Sequence, residues 1–88
     1  MHAVVFQVDF IPGREQQQDG ELEFLTEMMK STPGFVHGTW LGDYERGLSC
    51  ILFDSEGAAR TVADGAGLPP DAAATLRSVD VYAVARDI

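Results

Sequence analysis

The stretch from Pro33 to Ala59, PGFVHGTWLGDYERGLSCILFDSEGAA, does most to limit what this chain can fold into. A Pro-Gly turn opens it, and Phe35 to Gly42 then reads as a strand. A second strand runs from about Gly47 to Phe53. Between them lies Asp43-Tyr44-Glu45-Arg46, a short loop flanked by glycines, which makes a hairpin. Its polar tip is most simply solvated. Asp54 or Ser55 caps a helix that runs to about Asp64. A lone hairpin is barely stable in water, so the rest of the chain has to extend this sheet and cover it.

If Leu41 pairs with Leu48, Trp40 faces Ser49, Gly38 faces Ile51 and Val36 faces Phe53. Phe35, His37, Thr39, Leu41, Leu48, Cys50 and Leu52 then share the opposite face.

The flanks supply the missing elements. His2 to Ile11 reads as a strand ended by Pro12-Gly13, with apolar residues on both faces. A helix follows and ends near Ser31. It starts either around Glu15 or at an Asp19 cap. Leu22, Leu25, Met28 and Met29 form its apolar face, with Phe24 at the edge and Glu23, Thr26, Glu27 and Lys30 opposite. Gln18 and Glu21 fall on the apolar side if the helix reaches back that far, which would make them pocket-facing polar groups, although fraying at the helix start is the expectation. After the second helix, Gly65 to Pro70 breaks the pattern and Asp71 to Leu76 is expected to add one further turn. Arg77 to Ala85 is the last strand, with Val79, Val81, Ala83 and Ala85 alternating against Ser78, Asp80, Tyr82 and Val84.

The order is βαββαβ, the ferredoxin-like split arrangement, in a single α+β domain spanning 1–88. It places both helices on one face of an antiparallel sheet. Strands one and four carry apolar residues on both parities, so the other face is expected to be apolar too. Two such faces paired as a homodimer would form one α+β barrel with the helices outside. A chain of 88 residues with 45% hydrophobic residues has apolar surface to spare for that contact.

Three punctuation marks add a family context. They are Ile11-Pro12-Gly13, Pro33-Gly34-Phe35 and Phe53-Asp54-Ser55-Glu56-Gly57-Ala58-Ala59, and their spacing covers nearly the whole chain. With them the chain resembles the dimeric α+β barrel superfamily, in particular its antibiotic biosynthesis monooxygenase-like branch. The resemblance implies a small-molecule cavity between sheet and helices. In the branch's cofactor-independent monooxygenases the protein deprotonates a phenol-like substrate and stabilises the anion. It also implies departures. The haem-degrading members use an Asn on strand one and a Trp and a His near the second helix. This chain has no Asn, and Val62 and Ala72 stand at the counterpart positions. No cofactor is therefore expected. The alternative is a non-catalytic homodimeric module that has lost the family's catalytic residues.

Trp40 is the residue most open to a functional reading. Its neighbours two positions away are Gly38 and Gly42, which leaves room beside the ring for a ligand or for another packed element. Phe6, Gly38, Trp40, Phe53 and Val62 are the pocket candidates. His37 is a candidate base and Tyr82 a candidate donor, but in the register above His37 points away from Trp40. Either residue is as readily a surface or interface group.

The net charge of −8 excludes nucleic acid and anionic membrane as favoured partners. Cys50 is the only cysteine and sits in an apolar run, where it reads as a small buried hydrophobe. No metal site is expected, because the fold puts His2 and His37 on strands about 10 Å apart. The first residues lack a basic leader and a signal-length apolar core, so a cytoplasmic protein is expected.

Overall fold

A computed structural model describes all residues, Met1 to Ile88. Four strands and two helices alternate as β1 (His2–Phe10), α1 (Glu15–Lys30), β2 (Phe35–Gly42), β3 (Arg46–Phe53), α2 (Glu56–Asp64) and β4 (Ala74–Ala83). The sheet is antiparallel in the order β2-β3-β1-β4. This is the ferredoxin-like arrangement expected from the sequence. No helix is long and apolar enough to cross a membrane.

The central hairpin register is the expected one from Gly38 to Gly42, with Trp40 opposite Ser49 and Leu41 opposite Leu48. It fails at the start of β2. Phe35, not Val36, pairs with Phe53, and the register shifts between Phe35 and His37. The extra residue, Val36, bulges out and is half exposed. The bulge turns Phe35 to the helix side, where its ring meets Phe53 edge-on at 6.5 Å. Phe35 therefore does not share a face with His37.

A second bulge corrects the last strand. Residues 74–76, expected as a helical turn, already belong to β4 and pair with Phe10, Asp9 and Val8. The strand ends at Ala83 rather than Ala85. The register shifts between Gln7 and Val8, leaving Arg77 as the extra residue. Leu76 and Val79, three positions apart, can therefore both face the helices.

The two helices cover the sheet differently. Ser55 caps α2 by accepting the Ala58 N–H at 3.2 Å. Its small residues let it lie directly on β1, β3 and β4, with Ala59 fully buried. Val4, Ile51 and Phe53 beneath it are the largest fully buried side chains, so the dry core sits under this helix. Helix α1 makes no comparably close approach to any strand. Met29, near its C-terminus, is its only buried residue.

Polar ties hold α1 in place instead. Near its N-terminus, Arg14 Nη1 donates to the Ala72 carbonyl at 2.8 Å and Gln17 Nε2 to the Asp71 carbonyl. The Ala73 N–H donates to the Glu21 carboxylate at 3.0 Å. Further along, Trp40 Nε1 donates to Thr26 Oγ1 at 2.8 Å. The helix starts at Glu15, so Gln18 and Glu21 lie in its body rather than in a frayed end. Thr26, expected on the solvent side, faces the sheet. Phe24 and Met28 turn outward, 68% and 43% exposed.

The far face of the sheet is mixed. Val5, Cys50 and Leu52 form an apolar centre with Leu41 and Leu48 beside it. On β4 the same face carries Ser78, Asp80 and Tyr82, so that edge is more polar than expected.

Candidate functional site

Because α2 lies on the sheet and α1 stands off it, a cavity of about 750 Å³ opens under α1. This lies within the usual range for small-molecule pockets. Its floor is the helix side of β1 and β3, including Phe6, Val8 and Ser49, with Trp40 on β2. Its roof is α1 through Leu22, Leu25 and Met29. Val62 of α2 and the segment around Leu68 and Ala72 close the far side. Phe24 and Met28, cavity-lining yet exposed, mark a mouth beside α1.

Local sequence explains the empty space. Gly42 and Gly47 form a cross-strand pair, and the Phe10 ring lies against both. A β-carbon at Gly47 would come within 2.6 Å of Phe10 Cζ. The paired glycines let Phe10 lie flat instead of pushing into the cavity. Ala66, Ala72 and Ala73 keep the far wall equally thin.

The charge inside is one-sided. Glu21 and Asp43 are the charged lining residues, and no Lys, Arg or His lines the cavity. Asp43 accepts the N–H groups of Arg46 and Glu45, both at 2.8 Å. Those bonds, the Arg46 amide above all, hold its carboxyl below the usual carboxylate range, with the Arg46 charge helping. It therefore stays ionised at the hairpin beside the cavity.

The residues singled out from sequence divide into two sets. Phe6, Trp40 and Val62 come together around the cavity. Gly38 and Phe53 do not line it. Phe53 is fully buried under α2, and the space beside Gly38 is filled by Phe35 and Ile51. His37 and Tyr82 lie on the opposite face of the sheet, both exposed, with His37 Nε2 3.5 Å from Thr39 Oγ1. Gln18 and Glu21, which the sequence makes pocket-facing only if α1 starts early, do line the cavity, whereas neither Ser49 on the floor nor Thr26 as the partner of Trp40 was expected. One signal was available for Ser49, a small polar residue placed opposite the only tryptophan in an apolar strand.

No protein-family model and no curated protein matches the sequence. Solved structures do. A structure of the haem-degrader MhuD from Mycobacterium tuberculosis, with two haems bound in its active site, superposes with a TM-score of 0.74 at 18% identity, covering 100% of this chain and 99% of that one. A mutant MhuD with two manganese protoporphyrin IX molecules per active site gives 0.74 and 18%, over 100% of this chain and 98% of that one. A haem-free structure of the M. tuberculosis protein, with cleaved protein, gives 0.64 at 18%, over 100% and 99%. The likeness runs end to end and establishes the fold, the ferredoxin-like βαββαβ arrangement expected from the sequence.

Proposed function

We propose that this chain binds an uncharged apolar or aromatic small molecule in the cavity under α1, and does so as a homodimer. The observation that carries the reading is a mostly apolar cavity of about 750 Å³ with an aromatic and aliphatic floor and acidic groups alone for charge.

The haem of the MhuD structures does not suit this donor set. A haem is held through an axial His, Cys, Met or Tyr, and its propionates call for cations. Here no His, Cys or Tyr lines the cavity, the two methionines that do, Met28 and Met29, have no histidine to pair with, no cation lines it, and Glu21 and Asp43 would repel the propionates. Oxygenation of a bound phenol, as in cofactor-independent monooxygenases, needs a base within reach. Glu21 is the carboxylate under the roof, and it already accepts the Ala73 N–H on both oxygens. His37 and Tyr82 sit across the sheet from the cavity. Binding without turnover is the reading adopted.

Trp40 is the sole tryptophan and lines the cavity, so its fluorescence reports occupancy. Flat, neutral phenolic compounds are expected to quench or shift it, while haem produces no saturable Soret change. Silence across a broad neutral panel would remove the cavity from consideration. Oxygen uptake with any bound phenol would turn the binder into an oxygenase.

The homodimer rests on the far face. Val5, Cys50, Leu52, Leu41 and Leu48 make a continuous apolar strip along β1, β2 and β3, with exposures of 58% for Leu41 and 37% for Leu48. Pairing two strips would bury them. Sedimentation at micromolar concentration is expected to give twice the 9.5 kDa chain mass, and a monomer there would end the proposal.

A further inference from the structure

The polar side chains around the cavity are nearly all engaged or wet. Thr32 and Thr61 donate their hydroxyls to helix carbonyls, Met28 O and Gly57 O, each at 2.9 Å. Glu21 holds the Ala73 N–H, and Asp43 holds its own hairpin. Gln18 sits half exposed on the first half of α1. The indole N–H of Trp40 goes to Thr26, whose hydroxyl in turn donates to the Leu22 carbonyl at 2.7 Å.

Ser49 differs from all of these. It is 4% exposed as a residue, it lines the cavity, and its hydroxyl takes part in none of the side-chain hydrogen bonds that engage its neighbours. The one side-chain polar atom sealed away without a partner is His2 Nδ1, so the Ser49 hydroxyl is not shut in but opens onto the cavity, with its donor and acceptor capacity left for what lies there. Its position is also particular. Ser49 lies in β3 directly between Phe6 on β1 and Trp40 on β2, so one hydroxyl stands between two aromatic side chains on the floor.

We infer that Ser49 is the polar anchor of the ligand site. It bonds the hydroxyl or carbonyl oxygen of a planar aromatic compound that rests against Phe6 and Trp40. A serine hydroxyl both donates and accepts, so either oxygen suits it. A carboxylate is disfavoured by Glu21 and Asp43. The inference rests on the cavity being a ligand site and adds the chemical class of the ligand: neutral, planar and oxygenated.

The test uses naphthalene, 1-naphthol and 1-naphthoate, followed through the Trp40 indole N–H resonance and by calorimetry. Naphthol is expected to bind the native protein about three- to tenfold tighter than naphthalene, the gain typical of one neutral hydrogen bond. Naphthoate binds weakest. Ser49→Ala should erase the naphthol preference and leave naphthalene affinity intact. Ser49→Cys, which keeps the size but is a weak donor, should erase most of it and serves if the alanine variant does not fold. Equal affinity for naphthol and naphthalene in the native protein overturns the anchor, as does a preference that survives both substitutions. In either case naphthalene still binds, so the cavity reading stands. Failure of every aryl probe removes both.

Discussion

Replacing Gly34 with alanine is expected to destabilise the fold by about 3 kcal/mol, by adding backbone strain to overpacking. Gly34 has φ +86°, a left-handed conformation that costs an L-residue about 1–2 kcal/mol. The space is also taken. A β-carbon there would lie 2.8 Å from Ala58 Cβ and 2.8 Å from Asp54 Oδ1. Ala58 is fixed on α2, and its chain neighbour Ala59 is wholly buried, so the helix cannot step back cheaply. The Gly34 carbonyl also accepts the Asp54 N–H at 2.9 Å, tying this turn to the start of α2. A domain of this size loses about 4–8 °C of Tm per kcal/mol, so the melt should fall by on the order of 15 °C. Gly13 is the control. It has the same φ of +86° but nothing within 4 Å of its missing β-carbon. Gly13→Ala should therefore cost only the backbone strain, about 1–2 kcal/mol. Equal melts for the two variants would show that α2 does not bear on the turn.

The same turn shows how much of this fold was legible in the chain. Pro33-Gly34 announced a reversal, and the glycine-flanked loop with its Leu41–Leu48 pair set the hairpin register. Those are local signals, and the central pairing follows from them. The two bulges are not local. Val36 and Arg77 are ordinary strand residues. They drop out of the ladder because Phe35 gains a place against Phe53, and Leu76 one on the cavity wall, by changing faces. Nothing in the composition at either position carries that gain. The rotation of α1 was hidden for a related reason. Apolar periodicity alone drew its inner face through Met28 and left Thr26 outside. The helix actually turns so that Thr26 meets Trp40, while Phe24 and Met28 go to the mouth. A helix that roofs a cavity is positioned by polar ties as much as by apolar burial.

The site was legible in the same uneven way. Trp40 stood out because glycines flank it, and the cavity does lie beside it. Gly38 misled, since its vacancy is filled by Phe35 once the bulge has turned that ring inward. The space that remains lies on the Gly42 side, where a second glycine, Gly47, sits across the strand pair. Which of two glycines beside a tryptophan opens onto a void depends on what the neighbouring strands place there. That is a tertiary property.

Trp40→Ala should be about as damaging as the Gly34 change, about 3 kcal/mol, for a different reason. The indole packs on the core and is half buried, so its loss lies at the low end for a tryptophan. It is also the clip that holds the middle of α1, through Nε1 to Thr26 at 2.8 Å. Without it, the second half of the helix is left with Met29 as its buried anchor. Trp40→Phe separates the two contributions. It keeps most of the ring and loses only the hydrogen bond, so about 1 kcal/mol is expected. Thr26 remains satisfied by the Leu22 carbonyl at 2.7 Å. Amide exchange should locate the effect. Protection should fall first in residues 22–30 of α1, while the β1 and β3 amides under α2 keep theirs. That pattern would show a sheet with one fixed cover and one hinged cover, the hinged one lying over the cavity. If Trp40→Ala instead lowered protection evenly across both helices, α1 would be part of the same cooperative unit as the core, and the cavity would need some other way to admit its ligand.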